Sequence, residues 1–78
     1  MKLDDKGFVF LDRHSRPFWC VMYSGEPWFM YWNEGQKSWV TYERATQAEI
    51  WLAYQKRISE ESAQIYHNHH LKFQNRWK

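Results

Sequence analysis

Two hydrophobic periods divide this chain, and the change from one to the other comes near residue 45. Before that point apolar residues fall in short runs separated by turn chemistry. Gly7 opens Phe8-Val9-Phe10-Leu11, and the polar connection Asp12–Arg16 ends at Pro17, which favours extended backbone before it. Phe18–Tyr23 and Trp28–Trp32 follow on either side of Ser24-Gly25-Glu26-Pro27, and Asn33-Glu34-Gly35 leads to Ser38–Tyr42. This is the signature of a three- or four-stranded antiparallel meander. After it, Thr46-Gln47-Ala48-Glu49 forms a capping box ahead of a helical stripe through Ile50, Tyr54 and Ile58, resumed at Ile65, His69 and Phe73. The fold class is therefore α+β: the meander, then one long or two short C-terminal helices packed on one face. A single helix over residues 47–73 would be roughly 40 Å long, twice the length of a strand. The polar stretch Ser59-Glu60-Glu61-Ser62 thus predicts a break or bend, or a second helix capped by Ser59.

The central strands do not alternate. Phe18-Trp19-Cys20-Val21-Met22-Tyr23 and Trp28-Phe29-Met30-Tyr31-Trp32 are apolar on both faces, whereas a sheet with one wet face alternates. With Gly25-Glu26 as the hairpin tip, Tyr23 pairs with Trp28, Val21 with Met30 and Trp19 with Trp32. One face then carries Trp19, Val21, Tyr23, Trp28, Met30 and Trp32, and the other Phe18, Cys20, Met22, Phe29 and Tyr31. A three-residue loop with Gly35 left-handed adds Val40 and Tyr42 to the tryptophan face, and a two-residue Glu34-Gly35 loop adds Trp39 and Thr41 instead. A helix is about 10–12 Å wide and can blanket much of one face, but not both. The expectation is an uncovered, tryptophan-rich binding surface. The alternatives are a helix folded back over the second face, giving an α/β/α sandwich, and a homodimer burying that face.

Length bounds the rest. Seventy-eight residues make a single domain, with the sheet over about 8–42, the helical part over about 47–73, and 1–6 and 74–78 expected to be flexible. One cysteine allows no internal disulfide, and no paired-cysteine zinc spacing is present. A lone thiol without a secretory signal or membrane-length apolar run predicts a cytoplasmic protein with no membrane role.

Candidate chemistry is sparse. Cys20 sits among large apolar groups and reads as inert, and no phosphate loop, nucleophile elbow or zincin pair occurs. His67, His69 and His70 form the one metal-like cluster, yet a structural zinc needs four ligands; a solvated or pH-responsive helix end is the better reading. No enzyme, metal or cofactor is predicted. The reading is a small protein-binding module, an inhibitor or regulator of a larger assembly, engaging its partner through Trp19, Tyr23, Trp28 and Trp32 with Arg13 and Arg16 beside them. The rival is nucleic acid, with bases stacked on sheet aromatics and phosphates met by Lys37, Arg44, Lys72, Arg76 and Lys78. Against it stands a formal net charge of only +2.

Tyr31-Trp32-Asn33 followed by Trp39 resembles the aromatic-Asn hairpin of WW domains, but the loop to the last Trp is shorter and the closing proline is absent. That family's proline-peptide function is not carried over. In style, a short, motif-poor, aromatic-rich chain is similar to small phage or mobile-element proteins that modulate a host enzyme.

Overall fold

The computed structural model describes residues 3–76, with side chains as far as residue 72. Its elements are β1 (Phe8–Leu11), β2 (Pro17–Tyr23), β3 (Glu26–Asn33), β4 (Ser38–Arg44), α1 (Gln47–Tyr54) and α2 (Glu60–Arg76). The strands form one antiparallel sheet in the order β1-β2-β3-β4. This is the expected α+β meander followed by C-terminal helices, with four strands and with two helices in place of one long one.

Local chemistry sets each junction. In the β2–β3 turn Ser24 and Gly25 both have positive φ, 54° and 78°, the backbone of a type I′ hairpin, whose twist matches that of the strands. The tip is therefore Ser24-Gly25 and not Gly25-Glu26, and Tyr23 faces Glu26, Val21 faces Trp28 and Trp19 faces Met30. The register differs from the expected one by two residues, an even shift that leaves every side chain on its assigned face. The β3–β4 loop runs from Glu34 to Lys37, with Asn33 facing Ser38 and Lys37, not Gly35, in the left-handed region at φ 53°. Asn33 Oδ1 accepts the Gln36 N–H at 2.9 Å and ties the loop down. The loop shares the even parity of the two-residue alternative, so Trp39 and Thr41 join the tryptophan face. A bulge then places Tyr42 and Glu43 together opposite Phe29.

The capping box forms as read. Thr46 Oγ1 accepts from the Glu49 N–H, and the Glu49 carboxylate accepts from the Thr46 N–H. α1 ends at Tyr54, and Ser59 caps α2 by accepting the Ser62 N–H at 3.2 Å. The break lies between these points. There the linker lies along the outer edge of β1: Ile58 N–H donates to Val9 O at 2.8 Å, and Leu11 N–H to Lys56 O.

That edge contact corrects the placement of the helices on one face. By passing round β1 the linker carries the chain from one face of the sheet to the other, so each helix covers its own side. Under α1, Ile50 and Ala53 pack with Ala45 against Phe10, Cys20 and Phe29. Under α2, Ala63 and Tyr66 pack against Val9, Trp19, Trp32 and Trp39. The result is the α/β/α sandwich. Ahead of β1, Asp4 Oδ1 accepts the Gly7 N–H at 2.8 Å, Leu3 packs on the α1-side core, and Lys6 O accepts the Trp19 indole N–H. Residues 1–2 and 77–78, parts of the termini expected to be flexible, lie outside the described residues.

Candidate functional site

The structure does not gather the sequence-predicted partner residues into one surface. Trp19 and Trp32 are half-buried beneath α2. The Trp19 indole N–H donates to Lys6 O at 2.8 Å, and that of Trp32 to Glu34 Oε2 at 2.8 Å. Tyr66 sets its ring edge-on to Trp32, with centroids 5.2 Å apart. Trp28 is half-buried too, whereas Tyr23 is exposed at the β2–β3 hairpin. Arg13 and Arg16 sit in the β1–β2 loop, at the opposite end of β2 from Tyr23. Arg16 pairs with Asp12 at 3.1 Å. Partial burial pushes the Asp12 carboxyl up, but N–H donation from Arg16 and His14 and the guanidinium outweigh this and hold it below the usual carboxylate range.

The cationic set is equally dispersed. Lys37 pairs with Glu34, which Lys37 and the Trp32 indole N–H together hold below its ordinary value. Arg44 pairs with Glu26 across β3 and β4 through Nε and Oε2 at 3.0 Å. Lys72 stands exposed on α2. Lys78 and the side chain of Arg76 lie outside the described residues. Among the described residues no three His, Cys, Asp or Glu side chains come together to hold a metal ion. Cys20 is fully buried, and burial pushes its thiol up to about 12, which removes it as a nucleophile. No described helix is long and apolar enough to cross a membrane.

Exposed aromatic surface lies instead on the other face, where α1 stops short. At 1.5 Å per residue its eight residues reach about 12 Å. They cover Phe10, Cys20 and Phe29. Beyond them Tyr31 is 38% and Tyr42 56% exposed. The bulge holds Tyr42 where its ring meets Phe18 at 5.6 Å and Tyr31 edge-on at 5.9 Å. Phe18 in turn stacks on Phe10 of the core at 5.7 Å, so the exposed rings rest on the core. The outer face of α1 adds Trp51 and Leu52, both more than half exposed.

Sequence reasoning passed over these residues, although part of the signal was there. Ile50-Trp51-Leu52-Ala53-Tyr54 is apolar all round a helix, so some of it had to face away from the sheet. Tyr42 carried no such mark, because its face depended on the length of the β3–β4 loop. Comparison with protein-family models, curated proteins and solved structures gives no match.

Proposed function

We propose that this chain is a small non-enzymatic protein-binding module whose contact surface is the uncovered part of the α1 face, centred on Phe18, Tyr31 and Tyr42. The observation that carries this reading is the pair of exposed tyrosines in mutual contact on the sheet, seated on a half-buried phenylalanine. Tyrosine presents a large ring with few rotors and a polar tip, and it is enriched at interface hot spots. A strand surface orders such groups before binding, which lowers the entropic cost of association. The partner is a protein, with regulation or inhibition of a larger assembly as the role such a module would serve.

Nucleic acid is the weaker reading on electrostatic grounds. Arg16, Lys37 and Arg44 each face a carboxylate of the same chain, so a phosphate would have to displace Asp12, Glu34 or Glu26. Affinity for single strands rests on unpaired cations beside the aromatic platform.

The test compares the wild-type chain with Tyr31→Ala/Tyr42→Ala as bait in extracts of the native host. The expected result is one or more proteins retained by wild type and lost from the double variant, with the two thermal unfolding curves within a few degrees. Equal retention by both would overturn the surface assignment. Titration with fluorescent single-stranded and duplex oligonucleotides at two salt concentrations reads the rival directly, and salt-sensitive binding lost in the double variant would replace the protein reading. Light scattering reports whether the partner is a second copy.

A further inference from the structure

We infer that α2 is a proton-responsive cover on the tryptophan face: protonation of His67 and His70 loosens it and bares Trp19, Trp32 and Trp39. The docking surface of α2 is unusual in what it contains. Ala63 is the one buried side chain that α2 contributes among the described residues. The remaining hold comes from Tyr66 against Trp32 and Trp39, from His69 against Trp32 at 6.4 Å, and from two histidines one turn apart, His67 and His70. His67 lies edge-on to Trp19 with centroids 4.8 Å apart and meets Trp39 at 5.9 Å. His70 Nδ1 accepts the backbone N–H of Trp39 at 3.2 Å.

The last contact fixes the protonation state. Trp39 lies on β4, and its N–H is taken by the α2 side chain instead of by a neighbouring strand. An imidazole can accept that bond only through an unprotonated Nδ1. A proton there sets two donors against each other, so the bond is lost and an N–H on the sheet edge is released. At His67 the proton brings a charge into a half-buried site beside a second histidine.

Neighbouring carboxylates do not compensate. Asp4, Lys6, Arg57 and Glu60 line the groove of about 690 Å³ that His67 borders, two cations against two anions. On the other side of α2, Glu34 and Lys37 border the groove with His69, and they pair with each other. Among the described residues neither His67 nor His70 makes a salt bridge. Burial pushes both below the ordinary histidine value of 6.5, and for His67 the nearness of His70 adds to it. With folded-state values depressed, the stabilisation is complete above the ordinary value and is lost as pH falls through the folded ones. At neutral pH the cover is closed, and it loosens as pH falls below the ordinary histidine value.

The measurement is backbone hydrogen exchange of the full chain at pH 7.5 and 5.0, corrected for intrinsic rates, alongside NMR titration of the histidine ring protons. The expected result is that α2 amides lose protection about fivefold or more relative to β2 and β3, the loss expected for one neutral hydrogen bond. His67 and His70 should titrate below 6.5 over the same range. His67→Phe/His70→Gln keeps an aromatic edge and an acceptor but removes both titrations, and should abolish the pH dependence. Should that variant fail to fold, the wild-type titration still decides. Unchanged α2 protection between pH 7.5 and 5.0, or a loss that the double variant shares, would overturn the inference.

Discussion

A methyl group at Gly7 has nowhere to go. Gly7 sits in the left-handed region at φ +63°, and a Cβ built there overlaps the Cys20 carbonyl oxygen and lies 2.9 Å from both Cys20 C and Val21 Cα. These are backbone atoms of β2, which cannot swing aside as a side chain would. Left-handed backbone costs about 1–2 kcal/mol for a residue with Cβ. Relieving the overlap means parting β1 from β2 where Phe8 faces Cys20, which gives up at least one ladder hydrogen bond, about 1 kcal/mol. Gly7→Ala should therefore destabilise by about 2–4 kcal/mol, a large share of the roughly 4–12 kcal/mol expected for a domain of this size. Gly25 supplies the comparison: its φ is +78°, but nothing lies within 4 Å of its Cβ position. Gly25→Ala meets the conformational cost alone, about 1–2 kcal/mol. Urea unfolding followed by tryptophan fluorescence measures both, and the difference between them isolates the collision with β2. If Gly7→Ala proves no more costly than Gly25→Ala, the close approach of the two backbones is wrong.

Three further outcomes are open to the same methods. Thr46→Ala removes the acceptor that caps α1 and should cost about 1 kcal/mol; an unchanged urea midpoint would mean the box contributes nothing. Trp19→Ala takes away a ring that packs on Trp39 and His67 and a donor to Lys6, and should cost about 3 kcal/mol. A stable variant that had merely lost a partner would return this residue to the surface. Cys20, fully buried with its thiol pushed up to about 12, should resist a disulfide reagent at pH 8 until the chain unfolds, and prompt labelling of the native protein would contradict its placement.

What the chain determines by itself is local. Short apolar runs punctuated by Ser24-Gly25-Glu26-Pro27 and Asn33-Glu34-Gly35, followed by a capping box and a helical stripe, specify a meander and then helices. The division of β2 and β3 into two faces also survives, because alternation is unaffected by an even shift of register. The tertiary structure decided what alternation cannot express. Whether Ser24-Gly25 or Gly25-Glu26 makes the tip depends on backbone torsions that suit the strand twist. Both faces of the sheet are apolar, so a helical stripe has no preference of its own between them. The choice falls to Lys56–Ile58, whose backbone groups satisfy the open edge of β1 and turn the chain over it. That one contact places α2 over Trp19, Trp32 and Trp39 and leaves Tyr31 and Tyr42 exposed, because the other face is left to α1, which is only eight residues long.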